Sequence, residues 1–173
     1  CDDSPFQQGD RVLGITRFGA YADVVTVPAH ALRTMPPHWS FEQGAAFLVN
    51  ALTAWHGLVT VAGLPDLSRR SKSDTVTTVS SASSPLPVKV VVVHSAVGGV
   101  GLYACEIAAR RGALVVGVAG SSSKLKTFQD RILPLCPAAQ CIVRSSDAKQ
   151  FSKDLTNAVV RARSLRTGKE APQ

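Results

Sequence analysis

The first chemical signal in this sequence is three small residues at a fixed spacing: Ala96, Gly98 and Gly101, in the pattern A-x-G-x-x-G. A valine-rich run over residues 88–94 precedes them, and a helical pattern over residues 102–111 follows. Small residues let the backbone turn tightly from a strand into a helix, whose first N–H groups favour an anion. The turn therefore predicts a site for the pyrophosphate of a dinucleotide, formed by Ala96, Val97, Gly98, Gly99, Val100 and Gly101. The alternative is that the glycines only permit close packing of helix on strand.

The end of the next strand indicates which dinucleotide is bound. Gly112 is expected to end the helix, and residues 113–118 form a second buried run. An acidic residue about twenty positions past the motif would bind the ribose 2′-hydroxyl of NAD. The segment 117–124 has no acid and ends in a lysine, which suits a 2′-phosphate. We therefore predict NADPH as the cofactor, held at its adenosine end by Gly120, Ser121, Ser122 and Lys124. An ordinary surface lysine is the alternative for Lys124.

The elements around this unit predict an α/β fold. Helices are expected over residues 123–135 and 147–163, with a short strand over 140–143 between them. Together with the two buried runs they predict part of a doubly wound parallel sheet of the Rossmann type. Residues 68–87 differ in composition, with ten Ser or Thr in twenty positions, and are predicted to be a disordered insertion.

The N-terminal third is predicted to be short β structure followed by a helix. Residues 11–15 and 21–27 are β-branched runs separated by a turn. Pro36 and Pro37 mark a boundary, because proline continues neither a ladder nor a helix. Ser40 and Gln43 have the spacing of a capping box, so a helix is expected from there to about residue 63, in two pieces near Asn50.

Composition excludes several classes of protein. The 173 residues are 45% hydrophobic and 18% charged, which is enough apolar material for a folded core. The four cysteines form no CxxC pair, so neither a disulfide scaffold nor a zinc ribbon is supported. Residues 43–64 carry no charge and pass the length test for a membrane span, but their polar residues favour a buried helix, so no stable span is predicted.

The charge is concentrated in one half of the chain. Residues 88–173 hold thirteen Lys or Arg and five Asp or Glu, a net charge of +8, whereas the whole chain has +7. The basic residues are scattered and lack interleaved aromatic residues, so nucleic-acid binding is a weaker reading than a field that attracts the anionic cofactor. We therefore predict no nucleic-acid partner.

Six motifs carry a family resemblance, and they occur in this order: 9–12 (GDRV), 19–22 (GAYA), 27–28 (VP), 39–43 (WSFEQ), 52–54 (LTA) and 93–101 (VHSAVGGVG). Together they resemble the zinc-independent quinone oxidoreductase branch of the medium-chain dehydrogenase/reductase superfamily. The resemblance implies a GroES-like β-barrel domain, of which residues 1–37 are the last part, and a Rossmann NADP-binding domain, of which residues 38–173 are the first part. It also implies that the chain is a fragment of a longer subunit and is inactive by itself. Half a Rossmann sheet would leave an unpaired edge and an uncovered face, so the isolated chain is expected to be poorly stable.

The resemblance further implies site residues and an activity. Asn50 and Thr53 match the helix beside the nicotinamide, with Thr53 contacting the carboxamide. In zinc-dependent relatives a cysteine ligand falls at or near Asn50, and an amide is a poor zinc ligand, so no metal is predicted. The other reading of Asn50 is a polar cap of a broken helix.

The implied activity is NADPH-dependent reduction of a quinone or an α,β-unsaturated carbonyl compound by a cytoplasmic enzyme that is a homodimer at full length. Alternatives are an enoyl reductase domain of a polyketide or fatty acid synthase and an inactive NADPH-binding module. No catalytic residue is assigned.

Overall fold

The computed structural model describes residues 4–68 and 88–168. The chain divides into two compact units, Cys1–Leu52 and Thr53–Gln173, so the division falls inside the first helix. The predicted domain boundary after residue 37 stays a prediction. The predicted Ser/Thr-rich insertion lies outside the described residues, apart from Ser68.

The first unit contains a small antiparallel ladder. Strand β1 (Val12–Gly14) pairs with β2 (Leu32–Thr34), with Val12 opposite Thr34. The strand predicted over residues 21–27 is wrong, because that segment is irregular and its side chains are mostly solvent-exposed. β-Branched residues favour a strand only where a partner and a packed face are present. Here the partner of β1 is β2, which the sequence pattern missed.

Helix α1 (Phe41–Trp55) begins at the predicted capping box. The Ser40 N–H donates to Gln43 Oε1 at 2.9 Å, and the Gln43 N–H donates to Ser40 Oγ at 3.2 Å. These two bonds satisfy amide groups that have no partner within the helix. A single turn of π-helix, His56–Val61, follows directly.

The predicted break near Asn50 is wrong, because α1 continues through this residue and changes hydrogen-bond pattern only at His56. The amide of Asn50 donates to the Ala46 carbonyl at 2.7 Å, one turn earlier in the same helix. The side chain therefore bonds along the helix instead of capping an end.

By length and composition the stretch Phe41–Val61 could cross a bilayer, a test that core helices of soluble proteins also pass. The predicted absence of a span stays a prediction.

The second unit is a parallel α/β sheet, as the sequence predicted. Its elements are β3 (Val90–His94), α2 (Gly99–Arg110), β4 (Leu114–Ala119), α3 (Leu125–Ile132), β5 (Gln140–Val143) and α4 (Ala148–Thr167). The strand order is β3-β4-β5, with β3 and β5 both parallel to β4. The predicted bounds of β5 agree with the structure, and Gly112 follows α2 with φ +79°, the left-handed conformation expected there.

The core of this unit is centred on β4, in which all six residues are buried. Phe128 and Ile132 from α3 and Cys105 from α2 are buried in the same apolar cluster. Gly117 is required on the strand, because an added Cβ would lie 2.5 Å from a ring carbon of Phe128. The missing side chain lets the aromatic ring of α3 lie directly on the strand, which fixes α3 and the loop before it.

Candidate dinucleotide site

The turn between β3 and α2 is held to the neighbouring strand by backbone hydrogen bonds. The Ala96 N–H donates to the Val118 carbonyl at 3.0 Å, and Ala96 is fully buried. The Gly98 N–H donates to the Ser95 carbonyl at 2.8 Å, and Ser95 has φ +52°, an uncommon value for a residue with a side chain. The predicted pyrophosphate turn is therefore a tight reversal locked onto the carboxyl end of β4.

Gly101 permits the closest approach in this turn. An added Cβ would lie 2.0 Å from the Ser95 carbonyl oxygen and 2.8 Å from its carbon. At Gly98 the corresponding distance to the same oxygen is 3.2 Å, which is tight but tolerable with a small shift. The close packing that Gly101 permits is compatible with cofactor binding, because the same approach places the start of α2 at the end of β3.

The first turn of α2 presents free N–H groups. The helix begins at Gly99 and its N-cap is Gly98, which has no side chain to satisfy them. The Leu102 N–H donates to the Gly98 carbonyl, so the three preceding amides have no carbonyl partner within the helix. No acidic residue lies in this first turn, and Gly99 and Val100 are solvent-exposed. Unpaired amides and the positive end of the helix dipole suit an anionic group.

The residues predicted to hold the adenosine end lie just after β4. Gly120 is exposed, and an added Cβ there would meet no atom within 4 Å. Ser122–Lys124 form one 3₁₀ turn, and the hydroxyls of Ser121 and Ser123 are 2.8 Å apart. Lys124 is exposed at the end of that turn. The bond from Ala96 to Val118 links this loop to the pyrophosphate turn, so both predicted groups lie at one edge of the sheet.

Sequence reasoning missed one basic residue at this edge. Arg144 directly follows β5, and its N–H donates to the Ala119 carbonyl at 2.8 Å. Arg144 therefore lies beside the carboxyl end of β4, next to Gly120. A basic residue immediately after the third predicted strand was the available signal, but the prediction considered only the end of the second strand.

Asn50 and Thr53 lie in different compact units. Asn50 belongs to the first unit and is half-buried, and its amide bonds within α1, so the capping reading is wrong. Thr53 belongs to the second unit and is solvent-exposed. The structure gives no test of either residue's predicted position beside a nicotinamide, and those roles stay predictions.

Two cysteines, one beneath the turn and one on β5, are protonated at neutral pH. Burial raises the pKa of Cys105 to about 12, and its thiol lies 3.9 Å from the Ala96 carbonyl oxygen. Burial likewise raises the pKa of Cys141 to about 11. A thiol in this state is a poor nucleophile and a poor metal ligand. Within residues 4–68 and 88–168 no group of three or more His, Cys, Asp or Glu side chains is placed to hold a metal ion.

Sequence comparison finds quinone oxidoreductases and polyketide synthases. The chain is 33% identical over 124 residues to the quinone oxidoreductase of Homo sapiens, a match that covers 71% of this chain and 31% of that protein. It also matches polyketide synthases, of which it covers 2 to 5%. The chain therefore spans about a third of the length of its quinone oxidoreductase relatives. No protein-family model matches it.

Structural comparison finds the same two groups. The CurK enoyl reductase superposes with a TM-score of 0.66 at 25% identity, covering 90% of this chain and 38% of that one. The quinone oxidoreductase of Escherichia coli, solved with NADPH, superposes with a TM-score of 0.59 at 27% identity, covering 89% and 40%. The chain is thus a relative of quinone oxidoreductases and enoyl reductases, and the predicted resemblance to the quinone oxidoreductase-like branch of the medium-chain dehydrogenase/reductases is confirmed.

Proposed function

We propose that this chain forms the cofactor-binding part of an NADPH-dependent oxidoreductase that reduces a quinone or an α,β-unsaturated carbonyl compound without a metal. The observation that carries the proposal is the pairing of two features at one edge of the sheet. The first turn of α2 offers unpaired amides, and the adjacent end of β4 offers serines and a lysine with no acid. The NADPH complex of the E. coli relative supports the same choice of cofactor.

Different residues of the chain would bind different parts of the cofactor. The amides of 99–101 would hold the pyrophosphate, and Gly120 leaves open space beside β4 for the adenosine ribose. Ser121, Ser122 and Lys124 would bind its 2′-phosphate. When bound, the reduced nicotinamide supplies a hydride. The contribution of the chain is to fix the position of the cofactor relative to the acceptor, and Thr53 and Asn50 are the residues we assign to the nicotinamide end.

The finer domain assignment is part of this proposal. Residues 1–37 would be the end of a GroES-like barrel and residues 38–173 the start of a Rossmann domain, in a larger cytoplasmic, homodimeric enzyme without a membrane span or nucleic-acid partner. The short β1–β2 ladder and the three-stranded parallel sheet are compatible with these two parts. Asn50 supports a metal-free site, because an amide competes poorly with thiolate and imidazole for zinc.

A second candidate is an enoyl reductase domain of a polyketide or fatty acid synthase. It is favoured by the likeness to the CurK enoyl reductase and by the polyketide synthase relatives. The cofactor site would be the same, and only the acceptor would differ, since an enoyl reductase acts on an acyl thioester with a conjugated double bond.

Two measurements test these proposals, the first on this chain and the second on the full-length subunit that contains it. Calorimetric titration with NADPH and NADH is expected to show binding of both, with NADPH the tighter ligand. Loss of NADPH absorbance is then followed with 1,4-benzoquinone and with a crotonyl thioester as alternative acceptors. Faster turnover of the quinone supports the first candidate, and faster turnover of the thioester supports the second. Binding of NADPH by this chain without oxidation by either acceptor in the full-length subunit would indicate an NADPH-binding module, whereas absence of binding would refute the cofactor assignment.

A further inference from the structure

The carboxyl end of β5 brings a second basic residue to the loop that follows β4. The register pairs Ala119 with Val143, and the next residue, Arg144, donates its N–H to the Ala119 carbonyl at 2.8 Å. Neighbouring strands lie about 4.8 Å apart, so the backbone of Arg144 begins about one strand spacing from the start of the 120–124 loop. Only the parallel pairing of β4 with β5 creates this proximity, since the two segments are twenty-odd positions apart in sequence.

The guanidinium of Arg144 is available for a ligand. The residue is solvent-exposed, and in the part of the chain that the structure describes its side chain has no hydrogen bond or ion pair. The nearest acid that follows it in sequence, Asp147, is the N-cap of α4 and accepts the N–H groups of Lys149 and Gln150. The ion pair of Arg131 with Glu106 joins α3 to α2 and leaves Arg144 unaffected.

The space at Gly120, the residue that follows β4, is open. An added Cβ on Gly120 would meet no atom within 4 Å, so the end of β4 leaves room for a ribose and its substituents. The hydroxyls of Ser121 and Ser123 are hydrogen-bonded to each other at 2.8 Å on the same loop, so one of the two hydroxyl protons is left to donate to an anion. No Asp or Glu occurs in the segment 117–124, so nothing on this loop would repel a phosphate.

We propose that Arg144 is a specificity-determining residue that binds the adenosine 2′-phosphate together with Lys124. This inference rests on the proposed NADPH site and adds to it the residue that selects for the phosphate. The planar guanidinium can donate two parallel hydrogen bonds to phosphate oxygens, whereas an ammonium acts as a point charge. Arg144 therefore provides directional selection for NADPH over NADH, and Lys124 adds attraction that depends less on geometry.

The test measures binding of two small probes that differ by the 2′-phosphate, adenosine 2′,5′-bisphosphate and adenosine 5′-monophosphate. Calorimetry compares the unmodified chain with Arg144→Gln, Arg144→Lys and a matched control, Arg163→Gln. Arg163 is an exposed arginine on α4, so the control removes the same charge from elsewhere on the same unit. Circular dichroism melting of each variant verifies that the fold is retained.

Arg144→Gln is expected to weaken binding of the bisphosphate about 10- to 100-fold, the range for a charge-assisted hydrogen-bond pair, and to leave binding of the monophosphate nearly unchanged. Arg144→Lys should recover part of the loss, and Arg163→Gln should show little of it. Equal losses for both probes, or equal losses in Arg144→Gln and Arg163→Gln, would overturn the role of Arg144 while leaving the NADPH site in place. Failure of the unmodified chain to bind either probe would overturn both proposals.

Discussion

The predicted pyrophosphate turn, residues 96–101, and the predicted adenosine loop, residues 120–124, lie at the same edge of the sheet but are built in different ways. In the turn, backbone atoms set the structure, because an added Cβ on Gly101 would lie 2.0 Å from the Ser95 carbonyl oxygen. In the loop, an added Cβ on Gly120 meets nothing within 4 Å, and the groups that we propose to recognise the cofactor are side chains, of which Ser122 and Lys124 are exposed. The comparison teaches that substitutions in the turn should affect folding and binding together, whereas those in the loop should change only which cofactor is preferred.

The largest effect is expected from Gly101→Ala. The new methyl group overlaps with backbone atoms of Ser95, which cannot move aside without breaking the bond from Ala96 to Val118. We expect the free energy of unfolding to fall by about 3 kcal/mol or more, at the upper end of overpacking costs, and binding of NADPH and NADH to be lost alike. Urea denaturation and calorimetry measure the two effects.

The matched control for this prediction is Gly57→Ala, at a glycine whose added Cβ would meet no atom within 4 Å. It should leave cofactor binding unchanged. If Gly101→Ala binds NADPH normally and unfolds at the same urea concentration as the unmodified chain, the turn is not determined by backbone packing and the comparison fails.

A smaller and selective effect is expected from Lys124→Gln. Lys124 is exposed at the end of the 3₁₀ turn, so water screens the attraction between its charge and a bound phosphate. We expect NADPH binding to weaken about 3- to 10-fold, NADH binding to stay the same, and the free energy of unfolding to change by less than about 0.5 kcal/mol. Lys126→Gln, which removes a neighbouring exposed lysine on α3, is the control. A similar loss of NADPH affinity in both variants would show that the effect comes from the net charge and not from a contact of Lys124 with the phosphate.

The smallest effect at neutral pH concerns two thiols, the buried Cys105 on α2 and the partly buried Cys141 on β5. Because the pKa values of Cys105 and Cys141 are raised to about 12 and about 11, iodoacetamide should modify neither at pH 7, while both react in the urea-unfolded chain. A pKa that is higher in the folded state means that the unfolded state binds fewer protons at alkaline pH. These thiols therefore lower stability as the pH rises from about 9 towards 11 and 12.

Mass spectrometry of the alkylated chain measures this prediction, with Cys141 expected to react before Cys105 as the pH increases, since its pKa is lower. Rapid alkylation of folded Cys105 at pH 7 would show that the packing beneath the turn opens frequently. The turn would then not be held by close backbone packing, contrary to the comparison.

Structural features that depend on a few neighbouring residues were predicted well from the sequence. The capping box of Ser40 and Gln43, the left-handed Gly112 and the βαβ unit around the A-x-G-x-x-G turn each depend on residues close in the chain, so their patterns carry the structure. Predictions of strands, which need a pairing partner far away in the sequence, were less successful in the N-terminal third. Residues 21–27 have the composition of a strand but no ladder, and the actual partner of β1 is the short β2.

By itself the sequence determined the α/β class, the turn predicted to take a pyrophosphate and the family resemblance, because these follow from residue size, periodicity and short spacings. Only the tertiary structure decided that Gly101 is fixed by contact with Ser95, that Asn50 bonds within a continuous helix, and that Arg144 lies beside the end of β4. The last of these depends on the register of two parallel strands. Register is set by how whole side-chain faces pack, and no local spacing encodes it.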